Sequence, residues 1–291
     1  MLQILTNSLL AASIYALVGV GFGLTYQVTR CLNFTHGVLI TTGAYGLYVF
    51  KGVLGYPWLL SLPLALGTSI IMSLALYVSV FGPLRRLGAS PLGMLLASLG
   101  AYVVLQNMIS MVFGDRIQTV YTGPVTQGLC LLGMRLTSVQ ISTILASVLC
   151  ITISDLLLRA SRVGTMMRAY ANNSTYAEIV GISSTRILLM VSGLSSVLAG
   201  VAGIAMGMDI GITPAMGMQP FMMGVVAVVV GGNRHAWGIA LGALLLTVAQ
   251  NLGGWILGSQ WQNVVAFLVL VLFLVFRPQG FLGRPLWKGS V

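Results

Sequence analysis

Runs of roughly twenty mainly apolar residues, each long enough to cross a bilayer as a helix, recur along most of this chain. They fall at about 6–28, 37–55, 58–80, 92–113, 137–158, 187–207, 219–231, 237–257 and 263–276, the second, seventh and ninth being the weakest. Pro214 and Pro220 interrupt the approach to the seventh, and a short or broken segment is tolerated at membrane depth only where protein or a watery cavity covers its backbone. Only 6% of residues are charged and the mean hydropathy is +0.99. A globular chain carries roughly 25% charged residues, so a water-soluble surface is excluded, and a disordered chain is excluded with it. The fold class is all-α: a polytopic membrane protein of about eight to nine transmembrane helices. It forms a single transmembrane domain over 1–291, and no stretch reads as a separate soluble domain.

The charges orient the spans. Fourteen Lys and Arg against four Asp and Glu give a formal +10. With nine spans, eleven basic residues share one side: Arg30, Arg85, Arg86, Arg159, Arg162, Arg168, Arg186, Arg234, Arg277, Arg284 and Lys288. Lys51, Arg116 and Arg135 fall on the other. Basic residues mark the cytoplasmic side, which places the N-terminus outside and the C-terminus inside. No loop gathers these charges with stacking aromatics, so the excess is not a nucleic-acid face. No Lys or Arg precedes the first apolar stretch, which is too long for a cleavable signal and reads as a retained span. Cys31, Cys130 and Cys150 have no paired spacing and read as free thiols. Small residues four apart, such as Gly19/Gly23, Ser196/Gly200, Gly203/Gly207 and Gly238/Gly242, mark close helix packing.

Enzymatic chemistry finds no foothold. The sequence has no P-loop, no HExxH and no acid pair at catalytic spacing. None of Asp115, Asp155, Glu178 and Asp209 sits in the middle of a span, which argues against proton-driven transport, where intramembrane acids are the rule.

Four polar or glycine-rich places interrupt the apolar pattern. Leu32-Asn33-Phe34-Thr35-His36-Gly37 joins the first two spans, and Asn33 or Thr35 is placed to cap the second helix. Its functional reading is a substrate-path or gating element. The loop 159–186 is the longest polar stretch on the basic side. It contains two helical pieces, a break at Asn172-Asn173-Ser174-Thr175 and a helix stop at Gly181, and a short amphipathic helix there suits a partner's groove. Gly211-Ile212-Thr213-Pro214-Ala215-Met216-Gly217 with Gln219-Pro220 suggests a half-helix whose N-terminus suits a carboxylate. Gly231-Gly232-Asn233-Arg234-His235 permits a tight reversal, and His235 reads as a structural polar group.

At these four places the chain resembles the LivH-type inner-membrane permeases of bacterial ABC importers for branched-chain amino acids, a family with close relatives for urea and short amides. The resemblance runs over nearly the whole chain. It rests most on Leu32 to Gly37, Arg168-Ala169 with Gly181-Ile182, Gly231-Gly232 with Gly238, and Arg277-Pro278 with Gly280. It implies a homologous permease partner, two cytoplasmic ATPase subunits that bind the ATP, and a periplasmic substrate-binding protein. No cofactor or metal is expected in this chain. The chain departs from the family pattern at Asn172-Asn173, Asn233-Arg234 and Gln250, and a site with fewer charges suits a neutral amide as well as a zwitterion.

The expected substrate path therefore runs by Asn33, His36, Gly37, Pro214, Gly217, Gly231 and Gly232, and the expected ATPase contact by Arg168, Ala169, Glu178 and Gly181. The rival expectations are a passive channel or secondary transporter, which shares the spans and the charge bias, and a membrane-embedded enzyme.

Overall fold

The computed structural model describes residues 2–120, 129–131, 134–233, 235–277 and 280–281. Arg234, Pro278, Arg284 and Lys288 lie outside the described residues, as do the side chains of Cys130 and Arg135. Twelve α-helices are described: α1 (Leu2–Thr29), α2 (Thr35–Leu47), α3 (Trp58–Leu76), α4 (Gly82–Arg86), α5 (Pro91–Phe113), α6 (Ser138–Ala160), α7 (Arg162–Asn172), α8 (Ser174–Ile179), α9 (Ser184–Ile210), α10 (Met218–Gly231), α11 (Ala236–Leu257) and α12 (Gln262–Phe276). A small antiparallel hairpin, β1 (Leu129–Leu131) with β2 (Met134–Leu136), pairs Cys130 with Arg135.

Among the described residues, seven helical runs are long and apolar enough to cross a membrane: Gln3–Thr29, Trp58–Arg86, Pro91–Phe113, Ser138–Ala160, Ser184–Ile210, Ala236–Leu257 and Ser259–Phe276. The two expected spans outside this set are helical as well. One is α2 with the π-helical turn Tyr48–Val53, the other the 14-residue α10. Expected span 58–80 was bounded by a loop holding Arg85 and Arg86, but the helix runs on to Arg86. The breaker pair Gly82-Pro83 is absorbed because a π-helical turn, Tyr77–Phe81, precedes it. The Gly82 N–H donates to the Tyr77 carbonyl five residues back, and Pro83 then falls in a first turn, where its missing N–H costs nothing.

The chain forms two compact units, one of residues 1–20, 128–155 and 222–291, the other of 21–127 and 156–221. The first centres on Met223, Val226, Val230, Leu246 and Ala266, against which α12 lays Val269, Leu270 and Phe273. Polar side chains pin it: the Thr247 hydroxyl donates to the Ser8 carbonyl at 2.9 Å, and the Asn251 amide to the Ser8 hydroxyl at 3.0 Å. Backbones meet closely at Gly19, where a Cβ would lie 2.8 Å from Ile239 Cγ2 and 3.1 Å from the Gly224 carbonyl oxygen.

The second unit is built around α2, all thirteen residues of which are buried. A helix containing Gly37, Gly43 and Gly46 is intrinsically weak, since each glycine costs up to about 1 kcal/mol relative to alanine. Each is needed for a different neighbour. A Cβ on Gly37 would press on Tyr102 of α5 at 3.3 Å; on Gly43 it would meet the Gly200 Cα of α9 at 2.6 Å; on Gly46 it would meet the Ala65 Cα of α3 at 3.1 Å. Hydroxyls then bond across the seams, Ser69 to the Leu39 carbonyl at 3.1 Å, Thr68 to the Thr42 carbonyl at 3.2 Å and Ser73 to the Ser192 carbonyl at 3.0 Å. Such bonds and close backbones hold helices together where lipid removes the hydrophobic drive.

Candidate functional site: a buried polar cluster and a braced helix pair

The turn before α2 is built by Asn33. Its Oδ1 accepts from the Thr35 backbone N–H at 3.0 Å and from the Thr35 hydroxyl at 2.6 Å, an Asx turn just ahead of the helix. The N-cap itself is Phe34, with no side-chain cap bond, so neither Asn33 nor Thr35 caps α2 as expected. Ser98 of α5 holds the same turn by accepting from the Phe34 N–H at 3.1 Å. This fixes His36 in the interior at 2% exposure, with the Ser195 hydroxyl of α9 3.3 Å from Nδ1. Gly21 of α1 presents bare backbone to the imidazole, since a Cβ there would lie 3.1 Å from His36 Cε1.

The cluster borders two small cavities. One of about 20 Å³ is lined by Thr25, Asn33, His36, Ser73, Ser192 and Ser195, among others. The other, of about 50 Å³, shares Thr25, Asn33, Tyr77, Phe81 and Ser192 with it and reaches Cys31 and Arg85. The smaller, evenly polar and apolar, is the size of one water; the larger is lined mainly by apolar surface. Tyr77 and Phe81 come from the π-helical turn, so the irregular stretch of the third span faces the cluster.

Beyond α9, the chain turns at Gly211 (φ +91°), pairs Ile212 with Gln118 in a single antiparallel bridge, and reverses through a buried turn into α10. Pro214 and Gly217 are buried in that turn, and Pro220 sits in the first turn of α10, where proline is tolerated. A Cβ on Gly217 would collide with the Gly37 carbonyl, so the first and third polar places of the sequence touch. Sequence reasoning missed Phe221. It is fully buried, with its ring centroid 5.6 Å from both Phe22 and Phe34 and 6.1 Å from that of His36. The available signal was its place directly after Pro220.

Gly231 and Gly232 belong to the other unit. A Cβ on Gly231 would collide with the Gly238 carbonyl, and Gly232 adopts φ +85°, so both serve the reversal between α10 and α11. Gln250 is buried in that unit, its amide 3.4 Å from the Met223 sulfur.

On the basic side, α7 and α8 occupy the loop 159–186. Ser161 caps α7 by accepting from the Gly164 N–H, and Asn173 caps α8 by accepting from the Tyr176 N–H. Gly181, at φ +88°, ends α8. Its N–H donates to the Glu178 carbonyl and that of Ile182 to the Ala177 carbonyl, the paired bonds of a Schellman stop. Arg168, Ala169, Glu178 and Gly181 are all exposed. The Arg168 guanidinium turns back to donate to the Leu158 carbonyl near the end of α6 and to the Thr165 hydroxyl. A cation at a helix C-terminus also complements the helix dipole.

Two arginines brace α7 from a distance in sequence. Arg85 donates to the Tyr170 hydroxyl and lies 5.7 Å from the ring centroid, while Arg30 donates to the Ala171 carbonyl at 3.1 Å. Arg30 holds φ +55°, a left-handed conformation unusual for a residue with a side chain. Burial raises the Tyr170 phenol above its ordinary range, against the lowering effect of Arg85 and with a smaller push upward from Glu178. The phenol is therefore neutral at physiological pH and free to accept from the guanidinium.

The chain matches the family described as "Branched-chain amino acid transport system / permease component" over residues 4–274. It is 33% identical to the high-affinity branched-chain amino acid transport system permease protein BraD of Pseudomonas aeruginosa, over 98% of this chain and 96% of that protein. It is 28% identical to the permease protein LivH of Escherichia coli K12, over 98% and 96%. Identity to a probable LivH of Methanocaldococcus jannaschii is 26%, over 98% and 93%. A solved structure, PsaBC from Streptococcus pneumoniae in complex with Fab, shares the fold with a TM-score of 0.52 and 10% identity, over 95% of this chain and 92% of that one. With its helices interrupted at the same polar places that carried the resemblance, and with the family matched across 4–274, the chain belongs to the permease component family of branched-chain amino acid transport systems.

Proposed function

We propose that this chain is the permease subunit of an ATP-driven importer that carries branched-chain amino acids across a bacterial inner membrane. The names of BraD and LivH support that substrate class. The observation that carries the coupling to ATP is the surface of α8. Tyr176, Ile179 and Val180 are 70–75% exposed on a connection between spans. An apolar turn outside the bilayer calls for a partner's groove, and α7, to which α8 is joined, is braced by Arg30 and Arg85 against the ends of the spans.

In this reading two ATPase subunits dock at α7–α8, with Glu178, Ala169 and Gly181 on the contact and Arg168 holding the end of α6. A binding protein delivers substrate from the periplasm, where the N-terminus lies, and the C-terminus is cytoplasmic. A homologous permease completes the pathway. ATP-driven movement of α7 reaches the cluster of Asn33, His36, Gly37, Pro214 and Gly217 through the two arginine braces. The two cavities beside that cluster are too small for an amino acid, so passage at this point needs the helices around it to move apart. The hydroxyl, amide and imidazole groups lining the smaller cavity also suit a neutral amide, which keeps urea and short amides as the second reading.

Glu178→Arg tests the docking surface, because Glu178 is exposed and its reversal leaves the packing untouched. The expected result is a folded permease whose complex with the ATPase is weakened and whose uptake no longer follows ATP hydrolysis. Wild-type coupling in that variant contradicts the assignment.

A further inference from the structure

The run α3–α4 ends at Arg86, and α9 begins at Ser184. An open cavity of about 350 Å³ lies where these two ends meet, within the range of small-molecule sites. Arg85, Arg86, Ser184 and Thr185 supply its polar wall, and Val78 and Leu189 an apolar one. Among the described residues, no carboxylate lines it. Arg85 is engaged with Tyr170, but Arg86 is exposed, and nothing pairs with its guanidinium among the described residues. Val78, 66% exposed, continues the apolar wall up the outside of the span.

A guanidinium without a partner beside hydroxyls suits a phosphate, which arginine binds with two parallel donors. The apolar wall suits a chain attached to that phosphate. The cavity stands where two apolar runs long enough to span end, beside Arg85 and Arg86, and basic residues at such ends attract anionic lipids. We propose that this cavity holds the headgroup of an anionic phospholipid, with Arg86 and the Thr185 hydroxyl on the phosphate and an acyl chain along Val78. The Ser184 hydroxyl is engaged with Tyr170. Since Arg85 lines the same cavity and braces Tyr170, a bound headgroup also stiffens the α7 anchor. That last consequence rests on the function proposed above; the binding itself does not.

The test is native mass spectrometry of the purified full chain, delipidated and then titrated with phosphatidylglycerol, phosphatidylcholine or inorganic phosphate. Phosphatidylglycerol is expected to be retained in preference to phosphatidylcholine. Arg86→Gln is expected to lower its retention about fivefold, the worth of one basic residue at an anionic surface. Arg86→Lys, which keeps the charge but loses the paired donors, should fall between wild type and Arg86→Gln, and Arg116→Gln, an exposed arginine at a distant loop, should keep all of it. Equal retention of the two lipids, or wild-type retention in Arg86→Gln, overturns the proposal. So does inorganic phosphate that binds with the same dependence on Arg86 and displaces the lipid, since the site would then be one for a free anion. Because lipid retention is read without ATPase or substrate, loss of the importer function would leave this result standing, and the reverse.

Discussion

Alanine at Gly43 measures how tightly α2 is held. Its Cβ would fall 2.6 Å from the Gly200 Cα and 2.8 Å from the Gly200 carbonyl oxygen, where ordinary contact begins at 3.4 Å. Both obstacles are backbone, so neither can swing aside, and the α2–α9 seam must open by about 0.8 Å. A gap of that size forfeits roughly a quarter to a half of each dispersion contact along the seam. Overpacking of this kind costs about 1–3 kcal/mol, and rigid neighbours on both atoms put this site near the upper end. Gly67→Ala in α3 is the matched control, because nothing lies within 4 Å of its Cβ and alanine favours the helix. Thermal unfolding of the purified chain should show Gly43→Ala lowered by about 3–5 °C and Gly67→Ala unchanged or slightly raised. Equal melting temperatures for the two variants would refute the reasoning that α2 is set by backbone contact.

Two further outcomes follow from the braced side. Tyr170→Phe keeps the ring under Arg85 but removes the hydroxyl that accepts from it, at a cost of about 1–2 kcal/mol. Amide exchange over 162–172 should then speed up by about tenfold while α9 stays protected, and unchanged exchange would show that Arg85 does not anchor α7. Cys31 is half-buried, and burial raises its thiol while Arg85 pulls it slightly back down. Less thiolate exists at neutral pH than for a free cysteine, so alkylation should be slow, should climb with pH beyond the usual thiol range, and, with the orientation proposed above, should proceed with an impermeant reagent only from the cytoplasmic side. Labelling at the rate of a free thiol, or from the outside, contradicts this placement.

The sequence exposed what local chemistry decides. Gly181 as a stop and the apolar length of the spans depend on a few neighbouring residues, and both were legible; Asn33 was legible as a turn-maker but not as the cap it was expected to be. The contact of Gly37 with Gly217 was half legible: both were singled out, but nothing local joins residues so far apart. Long-range pairings were hidden. Arg30 and Arg85 read only as markers of a membrane side, yet each reaches α7 across a long stretch of chain. Arg168 read as a surface charge, and its turn back onto Leu158 depends on the angle between α6 and α7. Gly82-Pro83 read as a loop because the usual breaker rule assumes α-helical hydrogen bonding, which the π-helical turn before it does not keep. Phe221 carried no signal beyond its apolarity, although it completes the aromatic wall beside His36.

Uptake of radiolabelled leucine by proteoliposomes tests the importer function most directly. The vesicles would hold this chain with the homologous permease and ATPase subunits proposed for it, and the proposed binding protein would be supplied outside. The expected result is leucine accumulation that requires ATP inside and the binding protein outside, with no leucine flux through vesicles holding this chain alone. Leucine equilibrating through the chain alone, without ATP, would contradict it and identify a passive channel or secondary transporter instead.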